Sequence, residues 1–232
     1  MSATSLILIL LSSIGFLISG LFSAYLLLIK NNKSTIHMLL GGLLLVLSIR
    51  VGKSVFYNFT ELHIIIKNIG LAANLAIGPF LLLYGKVLIH AYALKRKDFW
   101  HFLPAAIYVV FSGLIPNQAG NDLWFASYSL VMFQQFCYLI LSARLIKNWK
   151  LAWHHTLQKG FVILWSAIGL IWLTYLLIFL QILPTYIFGA LAYSILVVVL
   201  AYFVSKEGSS LLQKEKYGPN RLSAKQSQAV TV

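Results

Sequence analysis

Seven apolar stretches divide this chain of 232 residues, and the connections between them alternate between strongly basic and free of Lys and Arg. The stretches cover residues 5–29, 36–57, 64–90, 101–115, 123–145, 160–180 and 186–204. A helix rising 1.5 Å per residue needs about 20 apolar residues to cross a hydrocarbon core of about 30 Å, and every stretch but the fourth approaches or exceeds that length. The fourth, bounded by Trp100 and Pro116-Asn117, is short enough to lie with less tilt or partly in the interface. With 60% hydrophobic and 10% charged residues, an ordinary soluble domain is excluded. The pattern predicts an all-α membrane protein with a seven-helix transmembrane domain over residues 1–205. Residues 206–232 are predicted to form a basic, disordered tail.

Orientation follows from where the cations fall. Lys30 and Lys33, then Lys95, Arg96 and Lys97, then Arg144, Lys147, Lys150 and Lys159, then the five of the tail, all belong to connections on one side. The opposite connections hold no Lys or Arg but contain Glu61 and Asp122. The positive-inside rule predicts an outer N-terminus and a cytoplasmic C-terminus. The net charge of +13 is thereby assigned to a membrane face instead of to nucleic acid. No basic residue precedes the first stretch, which argues against a cleaved signal peptide. Its Gly15, Ser19 and Ser23 form a small face on which another helix can pack closely.

Four basic residues lie inside the stretches: Arg50, Lys53, Lys67 and Lys86. A cation at the centre of a spanning helix costs roughly 2.5 to 3.5 kcal/mol on insertion scales, so each needs a reason. Lys86 stands near the inner end and is expected to snorkel. Arg50 lies about 22 Å along the helix from Thr35, so it too could reach headgroups by snorkelling. Alternatively, Arg50, Lys53 and Lys67 form an electropositive zone in the outer half, with Glu61 as the nearby carboxylate. Such a zone suits an anionic headgroup, a carboxylate ligand or water. Arg50 is the better bidentate donor, and Lys53 follows three residues on, on the same face.

Polar groups at mid-depth, including Asn74, Gln134, Gln135, Thr174, Tyr175, Tyr193 and Ser194, either tie helices together or line a cavity. A cavity would have aromatic walls such as Tyr84, Trp165 and Trp172 and would open where Pro79 frees a backbone carbonyl. The candidate ligand-binding residues are therefore Arg50, Lys53, Lys67, Glu61, Tyr84 and Gln134. No catalytic residue, metal or cofactor is expected. Gly52-Lys53-Ser54 lacks the glycine five positions upstream that a phosphate-binding loop requires, Leu47 standing there. Asn58-Phe59-Thr60 matches a glycosylation sequon but hugs the membrane. The six histidines form no i, i+4 pair, and Cys137 is alone.

Arg50-Val-Gly-Lys-Ser-Val-Phe-Tyr57, Ile77-Gly-Pro-Phe-Leu-Leu-Leu-Tyr84 and Trp100-His-Phe-Leu-Pro104 resemble the seven-helix N-terminal region of membrane-bound AraC-type bacterial transcription regulators. The resemblance covers most of residues 1–223 and implies a sensor in a bacterial inner membrane. In that family a cytoplasmic helix-turn-helix domain follows a basic linker, and the run from Lys216-Tyr217 to Leu222-Ser223 is similar to the linker's start. Residues 206–232 are too few for such a domain, so direct nucleic-acid binding is not expected. The expected partners are the lipid bilayer, an anionic or amphipathic ligand and a cytoplasmic regulatory protein. Two other classes remain open. A lipid-modifying enzyme would use His90, His101, His154 or His155 with Asp98. A small transporter would want a second broken helix to match Gly78-Pro79.

Overall fold

A computed structural model describes residues 3–28, 35–57, 60–90, 92–118, 121–147, 155–183 and 193–196. Within them every regular element is a helix: α1 (Ala3–Leu28), α2 (Thr35–Phe56), α3 (Ile64–His90), a 3₁₀ helix (Arg96–Phe102), α4 (Leu103–Val110), α5 (Asp122–Lys147) and α6 (His155–Phe179). Four of these, α2, α3, α5 and α6, are long and apolar enough to cross a membrane. Most of the seventh stretch and the whole tail lie outside the described residues, residues 193–196 being helical.

The fourth stretch departs from a spanning helix. Pro104 sits in the first turn of α4, where a missing N–H does no harm, and the helix runs only 8 residues, about 12 Å. Residues 111–115 then unwind into turns. Asn68 of α3, fully buried, takes up the carbonyls this leaves, donating through Nδ2 to Ser112 O at 2.7 Å and Ile115 O at 2.8 Å. Asn117 Nδ2 in turn donates to Asn68 Oδ1 at 2.8 Å. Unwound backbone at membrane depth is tolerated where protein groups satisfy it, and one asparagine does so here.

Helix α3 is the hub: α2, α4, α5 and the 3₁₀ helix all pack on it. Its glycines set how closely they approach. A Cβ at Gly78 would stand 2.7 Å from the Tyr138 side chain, and one at Gly85 2.6 Å from Phe161. Pro79 interrupts the ladder of α3 by withholding the N–H that would bond the carbonyl four residues earlier, at Leu75. Gln134 of α5 replaces it, donating Nε2 to Leu75 O at 3.2 Å. Gln134, expected in a ligand cavity, is thus a surrogate backbone donor that keeps α3 continuous across its proline.

Helix α1 packs on α2 through the small face. Ser23 Oγ donates to Gly41 O at 2.7 Å, Ser19 Oγ meets Ser48 Oγ, and Gly15 lies against Ser194. At the opposite end from Asn68, the buried Asp98 caps the 3₁₀ helix, accepting from the Lys95 N–H at 2.7 Å and from the Tyr92 hydroxyl at 3.3 Å. Lys86, expected to snorkel, lies beside the same Tyr92, its Nζ 5.7 Å from the ring centroid. The backbone hydrogen bond, with a lesser contribution from Tyr92, holds the Asp98 carboxyl below its ordinary range.

Replacing Gln134 by Ala is expected to cost about 1 kcal/mol in detergent unfolding, and most of that should be recovered in a Pro79→Ala background, where residue 79 regains its own N–H. Additive losses in the double variant would mean that Gln134 does not serve the proline. A second expectation concerns pH. Because the folded-state pKa of Asp98 is depressed, its contribution is complete above the unfolded value near 3.9 and is lost as pH falls through the folded one. The thermal-midpoint advantage of wild type over Asp98→Asn should therefore be constant from pH 7 to 5 and shrink toward pH 3.

Candidate functional site

The last two turns of α2 carry Arg50, Lys53 and Ser54, and the 3.6-residue period aims them at different neighbours. Arg50 turns to α6 and is 2% exposed, its guanidinium carbon 4.0 Å from the centroid of Tyr175. Its Nη1 donates to Ser54 Oγ at 3.1 Å, while Nε has no hydrogen-bond partner. Ser54 Oγ also lies 3.3 Å from the Tyr175 hydroxyl, so the three residues join α2 to α6. The snorkelling expected of Arg50 does not occur, because Tyr175 holds the guanidinium between the two helices.

Lys53 turns the other way. Its stem crosses α3 at Gly70, where any Cβ would collide with it, and its Nζ donates to the Tyr128 hydroxyl of α5 at 3.4 Å. Tyr128 belongs to an aromatic cluster with Trp124 at 4.9 Å and Phe179 at 6.4 Å between centroids. Between these groups lies a cleft of about 190 Å³, walled by Lys53, Ser54, Tyr57, Lys67, Trp124 and Tyr128 together with Asn117 and Gln118. The Asn68–Asn117 bond anchors that last wall to α3.

Of the predicted residues, Lys53 and Lys67 come together in this wall, and Arg50 stands behind it through Ser54. Glu61 does not join them: it is exposed and pairs with no cation among the described residues. Tyr84 lies 17 residues beyond Lys67, about 26 Å along α3, packed 6.0 Å from the ring of Phe161. Trp165 and Trp172, proposed as cavity walls with Tyr84, lie away from this cleft and donate their indole N–H groups to α5 carbonyls at 2.9 and 3.0 Å. Sequence reasoning missed the site's aromatic and amide wall. Tyr128 is 75 residues from Lys53 and Asn117 is 49 from Asn68, and no helical period connects such positions.

Among the described residues no carboxylate lines the cleft; its polar groups include two lysines, amides and hydroxyls. Such a set complements a carboxylate or a phosphate. At about 190 Å³ the cleft is smaller than the roughly 300 Å³ at which drug-sized sites begin, which suits a small anion or the head of an amphiphile. Among the described residues no group of three or more His, Cys, Asp or Glu side chains converges where a metal could be held. The four apolar helices of spanning length make this a membrane-associated helical protein. No protein-family model, curated protein or solved structure matches the chain.

Arg50 is the energetic anomaly. A desolvated cation–π contact contributes about 2 kcal/mol and one neutral hydrogen bond about 1, against a desolvation penalty of several kcal/mol. Arg50→Met is therefore expected to leave the ligand-free protein as stable or to raise its stability by about 1 to 4 kcal/mol. A clear fall in the thermal midpoint in detergent would contradict the absence of a counter-ion among the described residues.

Proposed function

We propose that this chain is a sensor or ligand-binding module of a bacterial inner membrane, related to the membrane part of AraC-type regulators, and that its ligand is a small anion or the anionic head of an amphiphile. The observation that carries this reading is the cleft wall, with two lysines, among the described residues no carboxylate, and a buried Arg50, without a counter-ion among them, one hydrogen bond behind it. Seven spans with an outer N-terminus and a cytoplasmic C-terminus complete the proposal. Supporting them, the cleft is built at the ends of α2, α3 and α5 whose connections contain no Lys or Arg, the outer ends under the positive-inside rule.

The signal runs through Arg50 and Ser54. An anion at Lys53 and Ser54 competes with Tyr175 for both, and so changes how α2 is held to α6. A ligand shifts such an equilibrium only by its difference in affinity for the two arrangements. Helix α6 leads to the basic end, where a cytoplasmic regulatory partner would receive the change.

Thermal shift in detergent with inorganic phosphate, acetate and octanoate tests the reading, beside native mass spectrometry of the purified protein. At least one anion should raise the wild-type midpoint, by the equivalent of about 2.7 kcal/mol at a hundredfold excess over its Kd. Lys53→Met and Lys67→Met should abolish the shift. If no anion stabilises the protein and none co-purifies, the sensor reading fails. A bound metal that survives Arg50→Ala would redirect attention to the histidines at the other end.

A further inference from the structure

A second feature lies on the seam of α5 and α6, toward the basic ends of the helices, and does not depend on the cleft. Here a groove of about 450 Å³ runs between the helices, its walls almost wholly apolar. Phe136 and Trp172 stack at 5.3 Å and 23° along one part of it, and Trp165 lines another. Because both indole N–H groups are tied to the carbonyls of Leu139 and Met132, the rings are fixed and turn apolar surface to the groove. Gly169 keeps it open: a Cβ there would meet nothing within 4 Å.

At one end the groove is lined by Arg144 and Lys147, one turn apart on α5, both exposed and neither in an ion pair among the described residues. From Phe136 to Lys147 is about 16 Å of helix, against about 15 Å for one leaflet of hydrocarbon. An apolar slot one leaflet deep with two cations at its mouth has the shape and polarity of an acyl chain below a phosphate. A second copy of this chain fits less well, since at a net charge of +13 it would bring further cations to a basic end.

We propose that the α5–α6 groove binds an anionic phospholipid, one acyl chain lying between Trp165, Trp172 and Gly169 and the phosphate held by Arg144 and Lys147. Each cation near a headgroup favours an anionic lipid by up to about fivefold, so the pair gives at most about 25-fold, and two exposed, salt-screened side chains about tenfold, over a zwitterionic lipid of the same chains.

The test uses the full-length protein in phosphatidylcholine vesicles carrying acyl-brominated phosphatidylglycerol or acyl-brominated phosphatidylcholine, read by tryptophan quenching. Six tryptophans contribute, so Trp165→Phe/Trp172→Phe defines the background. Quenching of the groove tryptophans should reach its half-point at about a tenfold lower mole fraction of the phosphatidylglycerol. Arg144→Gln/Lys147→Gln should remove that preference, and Gly169→Leu, which fills the slot, should weaken quenching by both lipids. The glutamine variants change only exposed side chains and report even where the residue 169 variant misfolds. Equal half-points in the wild type, a preference that survives the glutamine variants, or quenching that a folded Gly169→Leu leaves unchanged would each overturn the proposal. No quenching above background would do so as well, because protein would then cover the groove.

Discussion

Inside a bilayer no water is available to a backbone carbonyl that has lost its partner, and the fold depends on how two such losses along α3 are made good. Pro79 strips the Leu75 carbonyl of its donor, and Gln134 supplies another. The unwinding after α4 strips carbonyls at Ser112 and Ile115, and Asn68 supplies both. Each repair reaches from one element to another, so a local defect in one segment becomes a tie between two. This is why α3 can be the hub although it carries both a proline and the glycines that let Tyr138 and Phe161 come close. The same ties hold the candidate site: Asn68 fixes Asn117, and Asn117 forms one wall of the cleft.

How much of this could be read beforehand follows the range of the interaction. Apolar runs and their breaks are local properties, and they located α2, α3, α5 and α6 to within a few residues, the bounds of α3 included. The shortness of the fourth stretch was visible in the sequence, but length and hydropathy do not register the turns after α4 that a distant asparagine satisfies. Lys53 and Lys67, which the fold brings into one cleft wall, stood out in the sequence because a cation in an apolar run is conspicuous by its cost. Gln134 and Tyr84 stand apart from this cleft, Gln134 on the Leu75 carbonyl and Tyr84 against Phe161, which the sequence hides for the complementary reason. A polar or aromatic side chain at mid-depth has the same appearance in sequence whether it faces a ligand, a neighbouring carbonyl or another ring.

The basic residues show how environment turns one kind of charge to two uses. Arg50 and Lys53 sit among helices, each with an aromatic side chain and a hydroxyl for company, and burial makes every missing partner expensive. A site of that kind discriminates sharply, because the anion it accepts must supply what the protein withholds, and an ill-fitting one leaves the charge unpaired. Arg144 and Lys147 stand exposed at the other end, solvated and free to adjust, so each adds a modest and nearly independent increment to any anionic surface nearby. Discrimination between chains there would come from whether an acyl chain can enter beside Gly169. As proposed, the cleft would recognise a head, whereas the groove would take up a tail and add the head's charge as an increment. A single amphiphile therefore makes different demands at the two places, and the two sites would sort lipids and small acids by different parts of the same molecule.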